Sequence, residues 1–167
     1  MRSGGVRRDD EFSEFFTSRF DRARRTAYAL CGNWVDAEEI AQHAFVRVYA
    51  KWPRIRSDSA DGYLHTVVTR IFLDSKRRVR GREQSVAEPP DRMSFDPDAH
   101  DRQPLLTALQ GVPPKQRAVL VLRFVHDLSV EQTARILKCS TGTVKSQSAR
   151  GLQTLRAAYR ATTPESA

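Results

Sequence analysis

The chain has 167 residues, which is enough for one medium domain or two small ones, and its formal net charge is +8 at pH 7. A pI of about 10.1 favours an anionic partner, and nucleic acid leads that group. The longest apolar run, residues 118–125, is too short to span a bilayer, and the N-terminus is too polar for a signal peptide, so we predict a cytoplasmic protein.

The residue types that usually form catalytic or metal sites do not cluster in this sequence. Cys31 and Cys139 lie far apart, and the four histidines have no metal-ligand spacing. No Walker loop, dinucleotide fingerprint, HExxH or G-x-S-x-G motif is present. We therefore expect no enzyme, no catalytic residue, no metal and no cofactor.

Charge divides the chain into three blocks. Residues 1–82 have a net charge of +6, residues 83–103 of −4 and residues 104–161 of +7. The acidic block is rich in proline and has no sustained periodicity, which is typical of a linker. We predict an all-α protein of two small helical domains, residues 9–82 and 104–161, joined by an acidic flexible linker at 83–103.

The first basic block contains three helical patterns. Apolar residues at helical spacing predict helices over residues 9–30, 37–51 and 63–79. Asp36 is the expected cap of the second helix, and Pro53 ends it. In the second block we expect one short helix at 105–110 and another that opens at Pro113-Pro114 and runs to about Val125.

Residues 128–150 have the pattern of two helices joined by a tight turn. Ser129 and Gln132 form a capping box for the first helix, and Ser140 or Thr141 can cap the second. The apolar face of the second helix comprises Val144, Ser148, Leu152, Leu155 and Tyr159.

The N-terminal half of that second helix has a polar face suited to DNA. Hydroxyl and amide groups stand beside long cations at Thr143, Lys145, Ser146, Gln147 and Arg150. Such groups read base edges and hold phosphates when a recognition helix enters the major groove. An ordinary helical hairpin with a solvated polar face is the alternative that spacing alone leaves open.

Four motifs in this order resemble the bacterial RNA polymerase sigma factors of the extracytoplasmic-function (ECF) type, sigma-E-like. Residues 36–45, DAEEIAQHAF, are similar to the region 2.2 signature, and residues 63–78 to regions 2.3 and 2.4. Residues 109–117 resemble the start of region 4, and GTVKS at 142–146 resembles its recognition helix. The likeness covers about residues 10–160.

The resemblance implies a sigma factor, a non-catalytic subunit that directs core RNA polymerase to promoter DNA and opens it. It implies that a −35 element is bound by Thr141, Thr143, Lys145, Ser146, Gln147 and Arg150. It implies that a −10 element is bound by Tyr63, Arg70, Lys76, Arg77 and Arg78. It implies polymerase binding through Asp36, Glu38, Glu39, Gln42 and Phe45, and it adds an anti-sigma factor as a candidate partner.

A stand-alone helix-turn-helix transcriptional regulator is the alternative function. It would explain residues 128–150 and would bind duplex DNA without polymerase. It leaves the first helical domain unexplained.

Overall fold

The computed structural model describes residues 3–56, 58–81 and 99–163, and it contains no strand within these ranges. Its seven α-helices are α1 Ser3–Cys31, α2 Trp34–Lys51, α3 Ala60–Gly81, α4 Ala99–Leu109, α5 Pro114–Leu120, α6 Val130–Leu137 and α7 Thr141–Thr162. A 3-10 turn follows α2 at Trp52–Arg54, and a π-helical turn follows α5 at Val121–Val125. The predicted all-α class is confirmed. Residues 83–98 of the predicted linker lie outside the described residues.

Helices α1, α2 and α3 form a three-helix unit around one apolar core. Leu30, Val48 and Phe72, one from each helix, are fully buried in it. Apolar residues at three-to-four spacing bring one stripe of each helix inward, and burial of such side chains contributes about 1.5–3 kcal/mol each. The three predicted helices are confirmed, each with a longer span than predicted.

The cap of α2 differs from the prediction. Asn33, not Asp36, is the N-cap, and its side-chain oxygen accepts a hydrogen bond from the Asp36 N–H at 3.0 Å. Asn33 has the extended backbone of a cap residue, whereas Asp36 lies within the first turn. A carboxylate there still interacts favourably with the helix dipole.

The predicted helix-turn-helix is confirmed as α6 and α7, with Ser140 rather than Thr141 as the cap of α7. Ser129 and Gln132 form the complete capping box, and Ser140 caps α7 by accepting from the Thr143 N–H at 3.1 Å. Val144 is fully buried and packs against α5 and α6. Tyr159 was expected inside but is 42% exposed.

Lys138 ends α6 in the left-handed backbone region, with φ of +54°. A side chain with a Cβ is disfavoured there, and glycine is not. We expect Lys138→Gly to raise the free energy of unfolding by about 0.5–1 kcal/mol. Denaturant unfolding followed by circular dichroism measures this change. Lys145→Gly, at an exposed position inside α7, is the control and should lower the stability by about 1 kcal/mol.

The two helical units share one core. Val112, Leu120 and Val121 of the second unit belong to the same buried cluster as Leu30 and Phe72 of the first. Helices α4 and α5 and the π-helical turn contact α1, and α5 also contacts α3. The basic blocks of the sequence are therefore two domains that pack directly on each other.

Within the described ranges, no helix has the length and apolarity that crossing a bilayer requires.

Candidate nucleic-acid interface

The first two turns of helix α7 bury Val144 on one side and leave a polar face open to solvent on the other. Thr141, Thr143, Lys145, Ser146 and Arg150, all predicted to contact DNA, are exposed. The Ser140 and Thr143 hydroxyls share a hydrogen bond of 2.9 Å, so part of the polar surface is ordered by the cap itself. This is the exposure that a helix needs to enter a groove about 12 Å wide and 8.5 Å deep.

Gln147 differs from its neighbours because it faces a cleft between the two domains. The cleft has a volume of about 540 Å³ and is lined on one side by Lys76 and Arg77 of α3 and on the other by Thr143 and Gln147 of α7. Residues predicted for the two promoter elements thus lie opposite each other. The Gln147 Oε1 atom is buried there without a hydrogen-bond partner among the described residues.

The residues predicted to contact the −10 element lie along α3. Tyr63, Arg70 and Arg77 are seven residues apart and therefore share one face of the helix. Tyr63 and Arg70 are half-buried, and the Lys51 ammonium lies 5.8 Å from the centre of the Tyr63 ring. Arg77 and Arg78 are exposed near the end of the helix. One face of α3 therefore combines an aromatic ring with cations, as stacking on bases and holding a strand require.

Helix α2 presents an acidic face with apolar residues beside it. Glu38, Glu39 and Gln42 are exposed, whereas Phe45 is only 3% exposed and packs among the α1 aromatic rings. Phe45 can support a docking surface from beneath but does not lie on it. Asp36 is half-buried in the first turn of the helix.

Sequence reasoning missed two exposed residues of this face. Val35 and Val46 are 66% and 67% exposed, and with Glu39 and Gln42 they form one stripe along α2 at spacings of three and four. Large apolar side chains exposed along one helix face are typical of a protein-binding site. The sequence did contain a signal for them, because both are large apolar residues that lie outside the predicted apolar face of α2.

Arg117 joins the two domains, and the sequence pattern did not reveal that role. The residue is 5% exposed, and its Nη1 donates to the Leu30 carbonyl at the end of α1. Nη2 donates to the Val112 carbonyl at 2.8 Å, and the guanidinium carbon lies 5.7 Å from the centre of the Phe72 ring. One cation therefore binds unpaired carbonyls of a helix C-terminus and an aromatic face at the same time.

Gln110 supports the same contact. Its Nε2 donates to the Ala29 carbonyl at 3.1 Å, while its Oε1 accepts from Arg117 at 3.1 Å. Gly32 ends α1 with φ of +74°, and a Cβ at that position would lie 2.6 Å from the Gln110 Cδ. The glycine is required both for the turn and for the approach of the second domain.

Cys31 lies beside this contact as an unreactive thiol. Burial raises the pKa of Cys31 to about 11, and the Sγ donates to the Asn33 carbonyl at 3.2 Å. The thiol is therefore protonated at neutral pH, which disfavours nucleophilic or redox chemistry. Neither Cys31 nor Cys139 is in a disulfide.

Family comparison assigns both domains. The profile of Sigma-70 region 2 matches residues 15–82, and that of Sigma-70, region 4, matches residues 102–155. The RNA polymerase sigma-E factor of Streptomyces avermitilis is 38% identical over 149 residues, covering 87% of this chain and 83% of that protein. The ECF RNA polymerase sigma factor SigE of Mycolicibacterium smegmatis is 36% identical over 154 residues, and this chain spans 60% of its length.

Two solved structures share the fold. The sigma factor RpoE from Bartonella quintana, in complex with the anti-sigma factor NepR, aligns with a TM-score of 0.73 over 90% of this chain and 97% of that one, at 23% identity. CnrH, in complex with the cytosolic domain of CnrY, aligns with a TM-score of 0.67 over 93% of this chain and 91% of that one, at 15% identity. The two matched regions and the 38% identical relative establish that the chain belongs to the sigma-70 family, as a member of the ECF RNA polymerase sigma factors.

Proposed function

We propose that this chain brings core RNA polymerase to specific promoters as a non-catalytic initiation subunit, with the exposed stripe of α2 as its polymerase-binding surface. In this proposal α7 reads the −35 element and the Tyr63–Arg77 face of α3 holds the −10 element. The observation that carries it is the presence of two separate DNA-suited faces and one protein-suited face on a single chain. A stand-alone regulator needs only one DNA-binding face, that of α7.

Run-off transcription tests this function. The purified chain is mixed with bacterial core polymerase and pooled genomic promoter fragments from its host, and transcripts are sequenced. Discrete transcripts that require both components are the expected result. If the chain fails to bind polymerase but binds duplex DNA tightly by itself, the stand-alone regulator is the better description.

We expect Arg150→Ala to weaken binding of the polymerase holoenzyme to its promoter by about 5- to 150-fold, since a good base contact is worth about 1–3 kcal/mol. Arg150 is exposed on α7 within the predicted reading face. Arg160→Ala removes the same charge from an exposed site near the end of that helix and should change affinity little. A promoter titration by fluorescence anisotropy measures both, and equal losses would contradict the assignment.

The place of action proposed for the chain is the cytoplasm, where polymerase and promoter DNA are found. An anti-sigma factor is proposed as a further partner, because both aligned structures contain a sigma factor or CnrH held by a second protein. Pull-down of the chain from host extract identifies such a partner by mass spectrometry.

A further inference from the structure

Two histidines from different domains stack on each other at the domain interface. His65 of α3 and His126, which follows the π-helical turn, have ring centres 3.8 Å apart and an interplanar angle of 28°. Both residues are only partly accessible. The Nε2 atom of His126 lies 3.3 Å from the Thr26 hydroxyl of α1. His126 of the second domain is therefore enclosed by two helices of the first.

The hydrogen bonds around His126 favour one tautomer of its neutral ring. The Thr26 hydroxyl donates its own hydrogen to the Arg22 carbonyl at 3.0 Å, so it can only accept from His126. This arrangement favours the tautomer of the neutral ring that has its proton on Nε2. The Nδ1 atom is buried and has no hydrogen-bond partner among the described residues. A second proton on Nδ1 would have no acceptor in the closed arrangement.

The charges around the pair also oppose protonation. Burial, then the charges of His65 and Arg22, lowers the pKa of His126 to about 3. Burial, then the charge of Arg22, lowers the pKa of His65, and Arg19 adds to that effect. Asp61 acts in the other direction on His65, but its carboxylate is already paired with Arg19 at 2.8 Å. On the segment of His126 itself, Asp127 is exposed.

We propose that the His65–His126 stack is an acid-sensitive latch, which holds the two domains closed when neutral and releases them when protonated. In the closed form Thr143 and Gln147 of α7 face Lys76 and Arg77 of α3 across one cleft. Release moves these two predicted DNA-binding faces apart. The consequence for promoter binding rests on the proposed function, whereas the opening of the domains does not.

The sign of the pH dependence follows from the two states. An exposed histidine in the open form has an ordinary pKa near 6.5, and the closed form holds a lower value. The closed form is therefore fully favoured above about pH 6.5 and loses its advantage as the pH falls toward 3. From His126 alone, the ratio of open to closed molecules should rise about tenfold between pH 7.5 and 5.5, and about a hundredfold by pH 4.5.

The test uses the full chain and needs neither polymerase nor DNA, so its failure is distinct from failure of the proposed function. Small-angle X-ray scattering gives the radius of gyration from pH 7.5 to 4.5. Proton NMR of the imidazole Cε1–H gives the protonation of His126 over the same range. We expect the radius of gyration to increase in step with protonation of His126, with unchanged helix content by circular dichroism.

Variants separate the latch from general acid effects. His126→Gln retains a side-chain N–H donor, cannot be protonated here, and should stay compact to pH 4.5. If that variant does not fold, His126→Phe keeps the ring stack without the titration. His43→Gln, at an exposed position on α2, should open like the parent chain.

Three results would overturn the latch. The first is a chain that stays compact while His126 becomes protonated. The second is a His126 that remains neutral down to pH 4.5. The third is a non-titrating variant that expands at the same pH as the parent chain.

Discussion

Replacing Arg117 by alanine should lower the free energy of unfolding by about 3–5 kcal/mol, because several buried carbonyls lose their donor at once. The guanidinium donates to the carbonyls of Leu30, Gln110 and Val112, and it also covers the Phe72 ring. An unpaired buried polar group costs about 1–3 kcal/mol, and alanine leaves a cavity between the domains as well. Unfolding in guanidinium chloride, followed by circular dichroism, measures the loss of stability.

Two further variants make the Arg117 result specific. Arg156→Ala removes an exposed cation from α7 and should change stability by less than about 0.5 kcal/mol. Arg117→Lys retains the charge but loses the fork that binds several acceptors, so it should recover only part of the loss. If the Arg117→Ala and Arg156→Ala chains unfold at the same denaturant concentration, the role of Arg117 as the anchor between the domains is contradicted.

Reversing two charges on α2 should weaken binding to core polymerase by about 100-fold or more, since like charges brought together at an interface cost several kilocalories per mole. The variant is Glu38→Lys with Glu39→Lys, both exposed in the proposed docking face. The fold should persist, because neither side chain is part of the core. Competition against a labelled sigma factor for core polymerase measures the affinity.

A matched reversal on another helix controls for net charge. Glu11→Lys with Glu14→Lys changes two exposed carboxylates of α1 by the same amount and should leave polymerase affinity nearly unchanged. If both double variants lose affinity equally, long-range charge rather than a docking face on α2 governs the association. Loss confined to the α2 variant supports the proposed surface.

Local patterns in the sequence placed the helices approximately and identified the capping box of α6, but they left the cap of α7 open between Ser140 and Thr141. The capping box of Ser129 and Gln132 and the cap by Ser140 involve residues three positions apart, so short-range chemistry specifies them. Asp36 was wrong as a cap because Asn33 also suits that position, and the choice depends on how α1 ends at Gly32. The DNA-binding and polymerase-binding residues remain predictions from the resemblance.

The sequence by itself determined the all-α class, the two basic domains and the family to which the chain belongs, because each depends on periodicity, composition or contiguous motifs. Only the tertiary structure decided that the domains pack together through Arg117 and that His65 stacks on His126. Those contacts join residues that are tens of positions apart. No local propensity encodes them, since they depend on which helix faces meet after the chain has folded.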